Sequence, residues 1–356
     1  MPSFVSVLLS ILLFSILIFV HELGHFMAAK ASGVQVNEFA MFMGPAIFKK
    51  QKGETLYSVR CIPIGGYCAM EGEDQDTDNP RSFQKAAWWK RLIILVAGAA
   101  MNFLIGLVFF AIFFIPVEQV GTPVITEFTD CCTFNQEQGL YLGDEIVEID
   151  GEKVYMASDV SMLFSLNGTG IHDIAVLRDG QRVVFDDFPM AHTHENKDGS
   201  QYLHYGIAMG VEDATLGVKL KSVWNSMLDN VRNVRLSLQM LLTGKAGLAD
   251  LSGPVGIVDM MSEVASSAPK WTDALLSLIY FGGFLAVNLG VMNLLPIPAL
   301  DGGRVVALLL TTAIEAVTKK KIDPKYEGYI HAAGMILLLG LMALTLFKDI
   351  FTVFKG

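Results

Sequence analysis

Four long apolar segments dominate the pattern of hydrophobic and polar positions along the chain. Each is long and apolar enough to cross a bilayer, which takes a helix of roughly 20 residues, so the pattern predicts four transmembrane helices. They are approximately Phe4–Ala29, Leu92–Ile115, Leu275–Leu300 and Ile330–Phe347. Pro296 and Pro298 break the third segment. The hydrogen bonds of irregular backbone at membrane depth must be satisfied by protein or by a water-filled cavity. The break therefore predicts a functional site at this position.

Residues 117–218 contain short strand-like and helix-like segments, which is the pattern of a folded α+β module. Residues 143–151 alternate polar and apolar and end in an Asp-Gly turn. Ala157–Leu166 has a helical pattern, and Ile171–Arg178 and Arg182–Phe185 flank the turn Asp179-Gly180, which is typical of a β-hairpin. We therefore expect one small inserted domain between the second and third spans.

Two further segments have regular patterns. Lys219–Leu242 has apolar residues at helical spacing, which predicts an amphipathic helix. The pattern leaves open whether this helix packs on the inserted domain or lies on the membrane surface. Leu56–Tyr67 alternates with the period of a strand, and we interpret it as part of a membrane-associated β-hairpin.

Composition agrees with a membrane protein that also has a polar portion. Hydrophobic residues make up 52% of the 356 residues, charged residues make up 17%, and the mean hydropathy is +0.46. The net charge of −10 argues against nucleic acid as a partner. The first apolar segment lacks a basic leader and a small-residue cleavage site, so we expect a retained span rather than a signal peptide.

The charges of the loops predict the orientation. Lys30–Arg91 carries nine Lys and Arg residues, whereas residues 117–218 carry four Lys and Arg against eighteen Asp and Glu. Because basic loops stay in the cytoplasm, we expect the inserted domain and both chain ends to be periplasmic. The predicted regions are 1–30 (first span), 31–91 (cytoplasmic loop with the β region), 92–115 (second span), 117–218 (inserted domain), 219–274 (periplasmic amphipathic helical region), 275–303 (third span), 304–329 (cytoplasmic loop), 330–347 (fourth span) and 348–356 (tail).

The first span contains ionisable residues in the motif HELGH, from His21 to His25. Such residues are costly at membrane depth unless they serve a function. Two histidines four apart lie on one helix face and can bind one zinc ion, with Glu22 between them as general base. HExxH also arises by chance, and a buried histidine is often a hydrogen-bonded core residue. Two histidines and a glutamate in one span favour a metal site near the cytoplasmic end of that span.

A third metal ligand must come from elsewhere, because catalytic zinc usually has three protein ligands and one position for water. Asp301 follows the proline-broken segment and precedes Gly302-Gly303, where the backbone can approach closely. Its predicted depth matches that of HELGH. His331 opens the fourth span but has no supporting motif. Spacing alone leaves open that Asp301 only caps a helix that starts at Arg304.

These motifs together resemble the site-2 protease family of intramembrane zinc metalloproteases. The resemblance rests on HELGH and on Asn293–Gly303, which reads NLLPIPALDGG; Ile62–Tyr67 and Val96–Phe103 agree with it. Gly139–Gly151 is similar to the ligand loop of a PDZ domain. The implied fold is a polytopic α-helical membrane protein with about four transmembrane helices, an inserted extracytoplasmic α+β PDZ-like domain and a cytoplasmic membrane-associated β-hairpin region.

The resemblance implies a membrane-embedded zinc metalloendopeptidase with one Zn2+ per chain. His21, His25 and Asp301 would bind the metal, and Glu22 would be the catalytic base. The substrates would be transmembrane segments of single-span membrane proteins, such as anti-sigma factors and remnant signal peptides, after their outer domain is trimmed. The partners would be these substrates and the lipid bilayer of the bacterial cytoplasmic membrane.

Four more residues are expected to bind substrate. Asn293 matches a family asparagine that is implicated in holding the substrate backbone, although it can also cap the broken helix. Ile64, Gly65 and Gly66 lie on a strand edge to which an unwound substrate can add as another strand. The alternative is an ordinary membrane-surface hairpin.

Two features depart from the family pattern. The inserted region has room for one PDZ-like domain, whereas enterobacterial members have two in tandem. The second span reads Gly98-Ala99-Ala100 where the family often has Gly-Pro, and we expect this difference not to touch the metal ligands.

Two other classes of protein are the alternatives. One is a non-catalytic scaffold that displays a PDZ domain, and the other is a zinc transporter or sensor. A scaffold has no need of HELGH or Asp301, and a transporter usually shows repeat symmetry.

Overall fold

The chain folds into two compact units. The computed structural model describes residues 3–73, 77–129, 139–195, 201–247, 253–320 and 325–355. The first unit comprises Met1–Phe113 and Asn233–Gly356, and the second comprises Phe114–Arg232. The second unit is thus an insertion within the first, as the sequence pattern predicts.

Four helices of the described part are long and apolar enough to cross a membrane, which confirms a polytopic membrane protein. The spans are Val7–Ser32, Trp88–Phe114, Trp271–Leu294 and Gly328–Thr345. The helices of the chain are α1 (Ser3–Ser32), α2 (Trp88–Phe114), α3 (Ala157–Asn167), α4 (Leu216–Leu242), α5 (Pro254–Ser267), α6 (Trp271–Leu294), α7 (Asp301–Thr318) and α8 (Lys325–Lys355).

The helix boundaries differ from the sequence pattern in three places. Helix α6 ends at Leu294, before the two prolines, so the third span is shorter than expected. Helix α7 occupies most of the region that was expected to be a loop. Helix α8 continues to Lys355, so most of the expected tail is helical. The first difference follows from proline, which disfavours helix at the residue before it.

Two clusters of buried apolar side chains stabilise the described part of the first unit. Met261 and Ala265 of α5 are buried against Leu278 of α6, with Leu9 and Leu13 of α1 packed on them. A second cluster joins the end of α1 to the β-hairpin and to α2. Its buried members are Ala29, Val34, Val36, Phe39, Cys68, Met70, Phe83, Ile94, Leu95 and Leu308.

The β-hairpin consists of two long, bent strands, β1 (Val36–Lys52) and β2 (Thr55–Met70). Residues 36–41 pair with residues 66–70 on one side and with residues 56–59 on the other, while residues 46–52 pair with residues 55–60. The two strands therefore form a small sheet of four segments. Among the described residues, no further strand pairs with the outer edge of segment 66–70.

The second unit is an α+β domain with one main sheet in the strand order β10-β3-β4-β6-β7, with β5 paired to β4. The turn Asp179-Gly180 has φ angles of 49° and 79°, which a two-residue type I′ hairpin requires, and this confirms the predicted hairpin. The strands are β3 (Gln119–Phe128), β4 (Glu145–Ile149), β5 (Glu152–Lys153), β6 (Ile171–Arg178), β7 (Gln181–Pro189), β8 (His192–Glu195), β9 (Gln201–His204) and β10 (Ile207–Asp213).

Helix α4 is the amphipathic helix of the sequence pattern, but its polar side packs on the inserted domain. Arg232 is buried, donates to the carbonyl of Lys153 and lies 3.2 Å from the Asp159 carboxylate. Asp229 forms a second ion pair with Arg232. The apolar side is exposed in part, with Leu220 at 62% of its full accessible area, whereas Val234 is buried.

Candidate metal centre

Helix α1 places His21 and His25 one turn apart, with both imidazoles buried. Their Nε2 atoms lie 3.2 Å from each other. Residues four apart on a helix share a face, so the ring nitrogens of the HELGH motif converge as the spacing predicts.

Asp301 is brought to the same point by the start of α7. Its Oδ2 atom lies 3.2 Å from His21 Nε2 and 3.3 Å from His25 Nε2. The N-cap of α7 is Leu300, and no side chain forms a cap hydrogen bond there. The carboxylate therefore faces the histidine pair instead of capping a helix at Arg304, and that alternative is wrong.

The three atoms fit one metal ion. A tetrahedral zinc with ligands at about 2.0–2.1 Å requires its ligand atoms to lie about 3.3 Å apart, and all three separations meet this requirement. Asp301 Oδ2 is buried and has no hydrogen bond within the described residues. Two imidazole nitrogens and one carboxylate oxygen are also typical zinc donors. Of the described residues, only these three form such a cluster.

One face of α2 supports the two imidazoles. His25 Nδ1 donates to the carbonyl of Ile94 at 2.8 Å, which leaves the lone pair on Nε2. Asn102 lies next to His21, with a distance of 3.1 Å between Nδ2 and Nδ1. Ile94, Gly98 and Asn102 recur at intervals of four, so one stripe of α2 covers the pair.

Gly98 allows this close contact, which contradicts the expectation that residues 98–100 do not touch the metal ligands. A Cβ atom at Gly98 would lie 2.3 Å from His25 Nε2 and 2.7 Å from His21 Cε1. Gly24 plays the reciprocal part on α1, because a Cβ there would lie 2.4 Å from the carbonyl oxygen of Ala97. The sequence carried a signal for this contact in the spacing of Gly98 and Asn102 within Val96–Phe103.

The two glycines after Asp301 allow the close backbone approach that the sequence predicts. A Cβ at Gly302 would lie 2.3 Å from the carbonyl oxygens of Leu294 and Leu295. A Cβ at Gly303 would lie 2.3 Å from the carbonyl oxygen of Ile297. The first turn of α7 therefore rests directly on the proline-containing segment.

The residues expected to bind substrate lie in two places. A Cβ at Gly66 would lie 3.4 Å from Glu22 Cγ and 3.1 Å from the Ala40 carbonyl oxygen, so this part of β2 runs beside the glutamate. Ile64 and Gly65 precede it in β2. Asn293 lies in the last turn of α6 and is half-buried.

Comparison with known proteins finds similarity over nearly the whole chain. A model of Peptidase family M50 matches residues 9–341. A Clostridium acetobutylicum protein with a zinc metalloprotease name is 35% identical over 349 residues, which cover 98% of each chain. The regulator of sigma-W protease RasP of Bacillus subtilis is 29% identical over 427 residues, which cover 97% of this chain and 98% of the relative. The zinc metalloprotease RasP of Geobacillus kaustophilus is 28% identical over 428 residues, which cover 97% of each.

The four spans and these matches define a membrane-embedded zinc metalloprotease. The chain belongs to Peptidase family M50, the site-2 protease family. This confirms the resemblance drawn from the motifs to the site-2 protease family, of which the bacterial regulator of sigma-E protease, RseP, is a member. Zinc as the cofactor agrees with the names of these relatives.

Proposed function

We propose that this protein cleaves the transmembrane segments of single-span membrane proteins, with zinc held by His21, His25 and Asp301 and with Glu22 as the general base. The observation that carries the proposal is the convergence of three donor atoms, within 3.3 Å of each other, inside the helical unit. Such a cluster at membrane depth is costly unless it has a function.

Bound zinc supplies Lewis-acid polarisation of the substrate carbonyl and acidifies water. The residues of the chain do the remaining work. Glu22 takes a proton from the attacking water and returns a proton to the amine that leaves when the peptide C–N bond breaks. Ile94 and Asn102 keep the two imidazoles in place. The carbonyl of Ile94 also selects the His25 tautomer whose Nε2 faces the cluster.

A helical substrate must be unwound before hydrolysis, because its peptide groups are engaged in its own hydrogen bonds. We propose that the unwound segment adds as a strand to the outer edge of residues 66–70. Gly66 supports this role, since its lack of a side chain leaves room between β2 and Glu22. Asn293, at the end of α6, would hold the substrate backbone from the other side.

The substrate class rests on the relatives. One relative is named regulator of sigma-W protease, so we propose membrane-anchored anti-sigma factors, together with remnant signal peptides, as substrates. The loop charges support a location in the bacterial cytoplasmic membrane, with the inserted domain periplasmic and the metal centre near the cytoplasmic side.

We propose that the inserted domain is PDZ-like and excludes substrates by size rather than by binding a C-terminal carboxylate. A PDZ ligand loop needs backbone N–H groups that can donate to the ligand. In this loop the N–H of Tyr141 donates to the Asp144 carboxylate at 2.8 Å, and that of Gly143 donates to the Ile125 carbonyl at 2.8 Å. Arg178 also binds the Asp144 carboxylate through two nitrogens. If the domain is a filter, deletion of residues 120–215 permits cleavage of untrimmed substrates, and unchanged selectivity refutes that role.

The test of the activity is a comparison of the full-length protein with Glu22→Gln in membranes. Glu22→Gln should bind zinc and abolish cleavage, so that single-span segments accumulate in a membrane proteome. His21→Ala and Asp301→Ala should lose zinc as well as activity. Full proteolysis by Glu22→Gln rejects the mechanism. A zinc content of one ion per chain that is lost in His21→Ala would distinguish a protease from a scaffold that binds no metal.

A further inference from the structure

We propose that His331 on α8 is a positioning residue for the metal centre, because it holds the turn that carries Asp301. This inference rests on the proposed role of Asp301 as a ligand. It assigns a role to a histidine in the fourth span that no motif explains.

The turn before Asp301 has an unfavourable backbone conformation. Ala299, two residues before the carboxylate, has a φ angle of 83°. This left-handed region disfavours residues with a Cβ atom and persists only when surrounding contacts impose it. The position of Asp301 therefore depends on whatever holds Ala299.

His331 supplies such a contact. The backbone N–H of Ala299 lies 3.1 Å from His331 Nδ1, to which it can donate. One turn further along α8, a Cβ at Gly334 would lie 2.3 Å from Pro298 Cβ, so the helix is in direct contact with the same turn. Helix α8 thus fixes the turn through one hydrogen bond and one close packing contact.

A second donor approaches the same ring, and it decides which nitrogen accepts. Arg304 Nε lies 3.1 Å from His331 Nε2. A neutral imidazole has one acceptor nitrogen and can serve only one of these two donors. Arg304 is also held by Glu73 through Nη1, so its guanidinium keeps a charged partner when Nε turns away from the ring. We therefore assign the acceptor, Nδ1, to Ala299.

Substitutions of His331 separate the two assignments. Asn presents its side-chain oxygen near the position of Nδ1, whereas Gln presents its oxygen near that of Nε2. The experiment measures zinc affinity of the full-length protein in detergent, by competition with a chelator, together with kcat and KM on a single-span substrate. Tyr329→Ala, at an exposed position in the first turns of α8, is the control for a general disturbance of the helix.

We expect His331→Ala and His331→Gln to lower zinc affinity about 10- to 100-fold, as loss of a supporting hydrogen bond does at other metal sites. The value of kcat should fall while KM changes little. His331→Asn and Tyr329→Ala should keep the affinity. Because Asn and Gln are both polar, their comparison remains informative if the Ala variant does not fold.

Three results overturn the proposal. The first is unchanged zinc affinity in both His331→Ala and His331→Gln. The second is an equal loss of zinc affinity in His331→Asn and His331→Gln. The third is zinc affinity that is kept in His331→Gln and lost in His331→Asn, which would make Arg304 the true partner. Asp301→Ala tests the underlying assignment separately. If Asp301→Ala keeps its zinc, the ligand role itself fails; if it loses zinc while His331→Ala does not, only the positioning role fails.

Discussion

Asn102 Nδ2 lies 3.1 Å from Nδ1 of His21, which brings a buried amide of the second span against a proposed metal ligand of the first. When His21 Nε2 binds a metal, Nδ1 carries the proton and requires an acceptor. A half-turn of the amide places Asn102 Oδ1 there, and this oxygen otherwise has no hydrogen bond within the described chain. Asn102 therefore fixes the orientation of His21.

Asn102→Leu should lower zinc affinity about 10- to 100-fold, because the His21 imidazole loses its supporting partner. Asn102→Asp keeps an acceptor at the same position and should stay close to the unsubstituted protein. Chelator competition measures both. Leu104→Ala, at an exposed position of the same helix, is the control. Equal affinity in the Leu and Asp variants would show that the contact does not act on the metal.

Gly98→Ala should disrupt the centre by steric overlap. The added methyl group would lie 2.3 Å from His25 Nε2, so the ring or α2 must move. Overpacking of a well-packed interior costs typically about 1–3 kcal/mol. We expect loss of zinc and of proteolysis in a protein that still inserts into membranes. Ala100→Val, on the exposed side of the helix, should retain both. Normal zinc content in Gly98→Ala would contradict the contact.

Gly66→Ala should affect substrate use without affecting zinc. Its Cβ would lie 3.1 Å from the Ala40 carbonyl oxygen and 3.4 Å from Glu22 Cγ, so it would crowd the glutamate beside the segment to which we propose the substrate strand adds. We expect a lower kcat/KM on single-span substrates with unchanged zinc affinity. Lys50→Ala, in the far segment of the same sheet, controls for loss of the hairpin. A fall in zinc affinity would instead mean that Gly66 acts through α1.

The inserted domain should become less stable as pH rises from about 4 to about 7. Burial and the nearby Asp159 carboxylate raise the pKa of Asp229 to about 7, from 3.8, against the opposing effect of Arg232. The folded state therefore keeps a proton that the unfolded state releases, and stability falls between about pH 4 and pH 7. Asp229→Asn should flatten this dependence.

The measurement is the denaturant midpoint of β6 and β7 in the full-length protein, read by hydrogen-exchange mass spectrometry with a labelling pulse at one fixed pH. Asp259→Asn on α5, outside the inserted domain, is the matched control. A midpoint that rises from pH 5 to pH 7 in the unsubstituted protein would contradict the direction of the shift.

Several features followed from local sequence. The length of the apolar segments determined the four spans, and the period of HELGH determined that two imidazoles share a face. The pair Asp179-Gly180 determined a hairpin, because its residues tolerate the positive φ angles of the turn. Each of these properties depends on residues that are close in the chain.

Helix α4 shows what amphipathic spacing leaves undecided. The spacing identified the helix but not the side that packs on the domain. That side includes Asp229 and Arg232, which are buried because Asp159 and the Lys153 carbonyl provide partners. The Lys153 carbonyl lies 79 residues away from Arg232 in the sequence, and such a partner cannot be identified from the helix itself.

For the metal centre, sequence alone determined the two histidines of HELGH and left Asp301 with two possible roles, a metal ligand or a helix cap. Only the tertiary structure decided that the Asp301 carboxylate lies 3.2 Å from His21 rather than capping a helix. It also showed that Gly98 and Asn102 contact the histidines, and that a turn at Ala299 with a positive φ angle precedes Asp301. The physical reason is that a metal centre requires donor atoms to converge within a few ångströms, and that convergence depends on how α1, α2 and the start of α7 pack together.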